Sequence, residues 1–284
     1  MMLDFRYQRD RLPRNIILAL LQCCMVVYCI LIFYPLFNMA ASSLKTTREI
    51  FQNPFGLPID LQLSNYKVVW IDRGFGRYFL NSFTVTALAM IFVILFGSMA
   101  SFGVSRYQYR LRIWIYMLFL SGIMLPLKAA IIPLFIVIKR LNLMDTHASI
   151  VLIFIAMGLP STVFILSGFM KSIPTELEYA ARIDGCNDWM IYRRIVMPIT
   201  QSAIALVTIY NAVPIWNDFF FPLVFIQSNK LKTLPLGLTG FFGQFSTNWS
   251  LLFTGLSIAV LPMLVLYLFM SKYFIRGMTA GAIK

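Results

Sequence analysis

Apolar residues along this chain neither alternate with polar ones nor trace a single helical stripe. They fill six stretches, Ile16–Asn38, Phe79–Val104, Ile113–Ile138, Ala148–Met170, Ile199–Ile226 and Leu251–Ser271, and nearly all charge lies between them. Within the stretches, Asp, Glu, Lys and Arg occur only as Lys128 and Asp218. Each stretch holds 21 to 28 residues. At about 1.5 Å per residue, a helix of that length crosses a hydrocarbon core of about 30 Å with some tilt. Lipid offers the backbone no hydrogen-bond partners, so a crossing segment must satisfy itself as a helix or close into a barrel. A barrel strand would alternate apolar and polar residues, and the run Ile199–Ile209 does not. The expected fold class is an all-α polytopic membrane protein with six transmembrane helices, forming one transmembrane domain over residues 1–284. Composition agrees: 60% of residues are hydrophobic, 12% are charged, and the mean hydropathy is +0.78. An ordinary soluble enzyme is excluded.

The formal charge of +13 would suggest nucleic acid, but no basic patch alternates with stacking aromatics, so no nucleic-acid partner is expected. Topology accounts for the excess. With the N-terminus inside and six crossings, the inside collects Arg6, Arg9, Arg11, Arg14, Arg106, Arg110, Arg112, Lys171, Arg182, Arg193, Arg194, Lys272, Arg276 and Lys284. The N-terminal tail and the short loop Arg106–Arg112 weigh most under the positive-inside rule, and Tyr107, Tyr109 and Trp114 fit an interfacial aromatic belt. Both termini are expected in the cytoplasm, with a lipid bilayer as the solvent of the six stretches. The first stretch is longer than the roughly 7–15 apolar residues of a secretory signal, so it is expected to stay as a helix. Cys23, Cys24, Cys29 and Cys186 show neither disulfide nor metal spacing and are expected to be inert packing residues.

The connections differ in character. Residues 39–77 form a long irregular loop containing Pro54, Gly56, Pro58 and Gly74, and residues 227–250 form a loop rich in Gly, Thr, Ser and Asn. Residues 171–198 read as structured. Thr175-Glu176-Leu177-Glu178 has capping-box spacing. Leu177, Ala180, Ala181 and Ile183 supply a small apolar face, and Asp184-Gly185 ends the helix in left-handed geometry. Asn187 or Asp188 then caps a second short helix bearing Ile191 and Ile195, and Pro198 leads into the fifth stretch.

The segment Glu176-Leu-Glu-Tyr-Ala-Ala-Arg-Ile-Asp-Gly-Cys186, closed by Ile195-Val-Met-Pro198, resembles the EAA loop of bacterial ABC import permeases. Ala180, Ala181, Gly185, Ile195 and Pro198 match that motif. Its glutamate position holds Tyr179 here, with Glu178 one residue earlier. Tyr34-Pro-Leu-Phe37, Ser42-Ser-Leu-Lys45, Asn65-Tyr66, Asn81-Ser82, Trp216-Asn217-Asp218-Phe219, Thr233-Leu-Pro235, Gly243-Gln-Phe245 with Trp249, and Gly277-Met-Thr-Ala-Gly281 extend the resemblance to the carbohydrate-importer branch. Within it the chain is similar to the six-helix, maltose-type (MalG-like) permease subunits of type I, MetI-like fold.

The resemblance implies a permease subunit that couples closure of ATPases to alternating access and performs no covalent chemistry. It implies a second permease subunit, two ABC ATPase subunits, an extracytoplasmic solute-binding protein and a carbohydrate substrate. The chain carries no G-x-x-x-x-G-K-[ST] phosphate loop, so no cofactor is expected on it, and ATP and Mg belong to the partner ATPase. ATPase coupling falls to Glu176, Glu178, Ala180, Ala181, Asp184, Gly185, Ile195 and Pro198. A C-terminal ATPase contact falls to Gly277, Thr279 and Gly281, and binding-protein or substrate contact to Gly243, Gln244 and Trp249.

Candidate pathway residues are Lys128, Asn211, Asn217 and Asp218. Charges within a span are costly and usually face protein or water. Asp218 and its neighbours either line the pathway or hydrogen-bond in packing. Lys128, between Pro126 and Pro133, either snorkels or pairs with an acid, or faces a cavity, where it would favour an anionic sugar. His147 is expected at a helix end. An ABC permease for another solute such as glycerol phosphate, and an ion-coupled secondary transporter, are the alternatives.

Overall fold

The structure is a computed structural model describing residues 11–243 and 247–282, with side chains described over 16–243 and 247–272. It divides into two compact units. One is the chain through Arg73 together with Phe241–Ile258; the other is Gly74–Gly240 with the chain from Ala259 onward.

The first unit holds α1 (Arg11–Ser42), α2 (Thr47–Gln52), α3 (Ser64–Lys67) with a π-helical continuation over Val68–Asp72, and the start of the last helix. The apolar window of α1, within Ile16–Ser42, has no buried residue. Cys23, Cys24 and Cys29 are exposed on it, which corrects the expectation of packed cysteines. Beyond α1 the backbone is organised by polar groups. Lys45 is fully buried and donates to the carbonyls of Asn53 (2.8 Å) and Gly56 (2.6 Å). Asn65 Nδ2 donates to the Ser43 and Lys45 carbonyls, while Ser250 Oγ donates to the Lys45 carbonyl at 2.6 Å and Thr254 Oγ1 to that of Ser43.

The second unit contains α4 (Phe75–Arg106), α5 (Arg112–Met124), α6 (Ile131–Arg140), α7 (His147–Lys171), α8 (Glu176–Ile183) and α9 (Asp188–Ile191). A π-helical turn Tyr192–Val196 and α10 (Met197–Ile199) lead to α11 (Gln201–Asn217), α12 (Phe220–Phe225) and α13 (Leu234–Leu238). The last helix, α14 (Trp249–Ala282), supplies its later part. Its most extensive pairing is α4 on α7. Small residues allow it: a Cβ on Gly97 would collide with Thr162, and one on Gly158 would come within 2.8 Å of Val93 Cγ2. Close backbone approach of this kind drives helix association where lipid removes the hydrophobic incentive. Val85, Ala89, Ile150, Phe154, Ile215, Phe221 and Phe225 form the adjoining core.

Among the described residues, four helices are long and apolar enough to cross a bilayer: Ile16–Ser42, Phe75–Arg106, His147–Lys171 and Trp249–Lys272. Asp188–Ile199 and Gln201–Asn217 pass together as a pair bent by 75°. The expected third span, Ile113–Ile138, is instead broken. α5 ends at Met124, Leu125 is extended (φ −82°, ψ 121°), and Pro126 to Ala130 form turns before α6. Proline disfavours helical geometry in the residue before it and removes a donor. The expected fifth span, Ile199–Ile226, stops at Asn217 for a related reason. Pro222 supplies no N–H to the carbonyl of residue 218 and its ring crowds it, and Asp218 is extended (φ −70°, ψ 123°).

Candidate functional site

Two places concentrate the sequence-derived candidates. The first is the segment after α7. Helix α8 ends in a Schellman arrangement: Cys186 N donates to Ala181 O (2.9 Å), Gly185 N donates to Arg182 O (3.1 Å), and Gly185 has φ +84°. A Cβ there meets nothing within 4 Å, so the glycine serves the backbone angle rather than space. Asn187 caps α9 through Oδ1, accepting from Met190 N at 2.9 Å.

The expected capping box is absent. The Thr175 side chain makes no cap hydrogen bond, and Glu178 turns away to meet Arg106, Nε to Oε1 2.8 Å. Both side chains are nearly buried, at 5% and 10% exposure, and they face each other as charges rather than as an aligned hydrogen bond. Arg106 Nη2 also donates to Ile173 O at 3.0 Å. Glu178 therefore looks inward, which a motif-based assignment to the partner surface does not anticipate.

More ties join the same end of α4 to this segment. Tyr192 Oη lies 2.7 Å from Ser98 Oγ, and its ring centroid is 5.4 Å from that of Phe102. Tyr107 is pushed up to about 12, first by burial and then by its hydrogen bond to Asp188. That bond, followed by the Arg182 charge, holds the Asp188 carboxyl below its usual range. Arg182 and Asp188 pair at 2.6 Å. Phe102, Leu166, Met170, Ala181, Ile191 and Val196 pack beneath as one buried cluster, with Ile195 against it. Sequence reading missed Ser98, Arg106, Tyr107 and Tyr192 as members of this site. Arg106 had registered only as a topology signal.

The outward face differs. Glu176, Leu177, Tyr179, Ala180, Asp184, Gly185 and Pro198 are exposed, Ile183 is 87% exposed and Trp189 53%. Among the described residues nothing covers these apolar side chains at the helix–turn–helix tip, whose underside is tied to α4.

The second place is a cavity of about 900 Å³ in the second unit. All four pathway candidates line it: Lys128 in the break after α5, Asn211 and Asn217 on α11, and Asp218 in the break after it. Lys128 Nζ is 3.6 Å from Asp218 Oδ2 and 5.7 Å above the Phe220 ring. Asp218 Oδ1 accepts from Phe221 N at 2.9 Å, starting α12. Asn211 is buried, accepting from Ser161 Oγ (3.1 Å) and donating to Thr162 Oγ1 (3.2 Å) and Val207 O (3.0 Å). Asn217 is exposed and donates to Val213 O. Beside the cavity, Trp216 Nε1 donates to Ala259 O at 3.0 Å, fixing α11 to α14.

The remaining candidates belong to other elements. Trp249 packs edge-on against Phe51, centroids 6.2 Å apart, at the start of α14 in the first unit. Gly243 is exposed beside an isolated bridge between Phe242 and Thr247. Gln244 lies outside the described residues. The α14 backbone is helical through Gly277, Thr279 and Gly281, and side chains from residue 273 onward also lie outside them. His147 opens α7 as expected, its Nε2 2.9 Å from Leu231 O.

With this geometry in hand, comparison with known proteins is specific. The family described as the binding-protein-dependent transport system inner membrane component matches residues 93–280. A probable ABC transporter permease of Bacillus subtilis is 34% identical over 258 residues, 91% of this chain and 86% of that protein. The melibiose/raffinose/stachyose import permease of the same organism is 34% identical, covering 89% and 91%. The multiple sugar-binding transport system permease of Streptococcus mutans is 33% identical, covering 90% and 93%. The crystal structure of a bacterial ABC transporter that imports the acidic polysaccharide alginate has a chain of the same fold, with TM-score 0.79 over 94% of this chain and 98% of that one, at 22% identity.

Proposed function

Because this chain belongs to the family of binding-protein-dependent transport system inner membrane components, we propose that it is the permease subunit of an ATP-driven importer of sugars or oligosaccharides. The observation carrying the coupling role is the tip of α8 and α9. It leaves Leu177, Tyr179, Ile183 and Trp189 uncovered, while Glu178 and Tyr192 tie its underside to α4. A separate ATPase seated on that tip moves α4 with it, and through α4 the packed helices α7 and α11. The relatives named for melibiose, raffinose and other sugars support a carbohydrate cargo. In this reading a second permease completes the pathway, an extracytoplasmic binding protein delivers the sugar, and the partner ATPases hold ATP and Mg. Both termini lie in the cytoplasm, and the exposed α1 faces lipid or the second permease.

Replacing Ile183 by Asp tests this without touching the core, because that side chain is 87% exposed. The expected outcome is an importer whose permeases still assemble but whose ATPase no longer co-purifies, with sugar-stimulated ATP hydrolysis reduced by about tenfold or more. An apolar anchor seated in a pocket has that weight. Stoichiometric ATPase with full stimulation in Ile183→Asp would remove this tip from the coupling path.

A further inference from the structure

The cavity between the breaks after α5 and α11 is chemically furnished beyond what a conduit requires. We propose that it is a binding subsite on this subunit for an uncharged glycosyl unit, with Lys128 and Asp218 engaging its hydroxyls together. This rests on the importer reading and deepens it by assigning a substrate class to this chain's own residues.

Size comes first: about 900 Å³ falls in the roughly 300–1,000 Å³ range of small-molecule sites. Charge comes next. The cavity holds one cation and one anion, and they are matched. The 3.6 Å between Lys128 Nζ and Asp218 Oδ2 exceeds the usual N–H···O distance of about 2.7–3.2 Å. A hydroxyl beside the pair can accept from the ammonium and donate to the carboxylate at once. A sugar carboxylate can do only the first. It also brings a second negative charge beside Asp218, whose side chain is only 7% exposed, and like charges so placed repel.

The two partners also differ in freedom. Asp218 is oriented by Phe221 N, leaving Oδ2 toward the cavity, while the Lys128 side chain is 61% exposed and can follow a ligand. Tyr210, Phe219 and Phe220 add aromatic surface to the lining, and Asn217 adds an exposed amide. Rings for the C–H face of a pyranose and paired donors and acceptors for its edge form one set.

The test uses the assembled importer in cells, with raffinose, maltotriose and arabinotriose as neutral probes and trigalacturonate as the anionic one. Co-purification of the ATPase is checked in each strain. The variants are Lys128→Met, which keeps the aliphatic stem, and Asp218→Asn, which keeps an acceptor for Phe221 N. Wild type is expected to import a neutral probe and exclude trigalacturonate. Each variant is expected to lower the maximal neutral rate by about tenfold, the weight of one hydrogen bond to a charged group. Asp218→Asn should also shift the ratio of trigalacturonate to neutral import upward, a change that mere loss of structure does not produce. Neutral import at wild-type rate in both variants would make the cavity a passive conduit. Wild-type preference for trigalacturonate, abolished by Lys128→Met, would make it an anion site. Import of no probe by a wild type that retains its ATPase also overturns the subsite. A wild type that binds no ATPase overturns the importer reading itself.

Discussion

Arg106 and Glu178 form the one described ion pair with both partners nearly dry, and this makes them unequal to the other charges on the loop. Removing one partner of a buried pair leaves an uncompensated charge and costs about 3–5 kcal/mol, whereas replacing both with apolar residues is often neutral. Glu178→Ala is therefore expected to lower the thermal midpoint of the purified importer and uncouple ATP hydrolysis from sugar. The double variant Arg106→Met/Glu178→Leu should recover the midpoint, as a thermal melt of each sample would show. Recovery of the midpoint without recovery of coupling would separate a transmitting role from a stabilising one.

Asp145 makes a second residue-scale prediction. It accepts from Ser228 Oγ and from the backbone N–H groups of Ser228 and Gln227. The Ser228 side chain, then those amides, hold its carboxyl below the usual 3.8. A lowered folded pKa contributes stability that is complete above the ordinary value and disappears as pH falls through the lowered one. Asp145 is partly exposed at the surface, so the effect is local. Hydrogen exchange at the Gln227 and Ser228 amides, corrected for intrinsic rates, should accelerate below pH 3.8 in wild type. In Asp145→Asn it should show no such acid limb. Neither partner of Glu178 nor of Asp145 was legible in the sequence, because each lies far along the chain and no local pattern encodes which arginine or serine it meets.

Among the elements, local geometry was readable and long-range geometry was not. Gly185 and Asn187 stood out because a positive φ and an N-cap are properties of a few adjacent residues. The capping box at Thr175 failed because Glu178 had a stronger competitor in Arg106. Pro126 and Pro222 were visible in two apolar runs, yet hydropathy weighs composition and is blind to where a helix stops. The α4–α7 pairing was hidden differently. Gly97 and Gly158 read as neutral members of long spans, and only contact reveals that their missing side chains set the spacing. Gly97→Leu should force these helices apart at Thr162, costing about 1–3 kcal/mol as overpacking does. Reduced yield and a lower thermal midpoint of the complex would register it; an unchanged midpoint would mean that the pair tolerates a wider spacing.

For the molecule as a whole, some of the motifs quoted from the sequence prove to be two sides of single contacts. Ser43 and Lys45 meet Asn65 and Ser250 in the first unit. In the second, Asn81 Nδ2 donates to Lys230 O and Lys232 O at 2.9 Å, and Leu234 N donates to Ser82 Oγ at 2.7 Å. Family membership was therefore readable from order and identity alone. The cavity was not, since it exists only where two interrupted helices face each other. Lys128 and Asp218 had been noticed separately, as expensive charges, and their meeting is a product of the fold. One consequence concerns how such a chain enters the bilayer during synthesis. Helix α5 has 13 residues, about 20 Å at 1.5 Å per residue, and packs on α7, which leaves the ribosome later. The third apolar stretch cannot settle on hydropathy alone. Its integration waits for a partner not yet made, so biogenesis here is a cooperative act of several helices rather than a sequence of independent insertions.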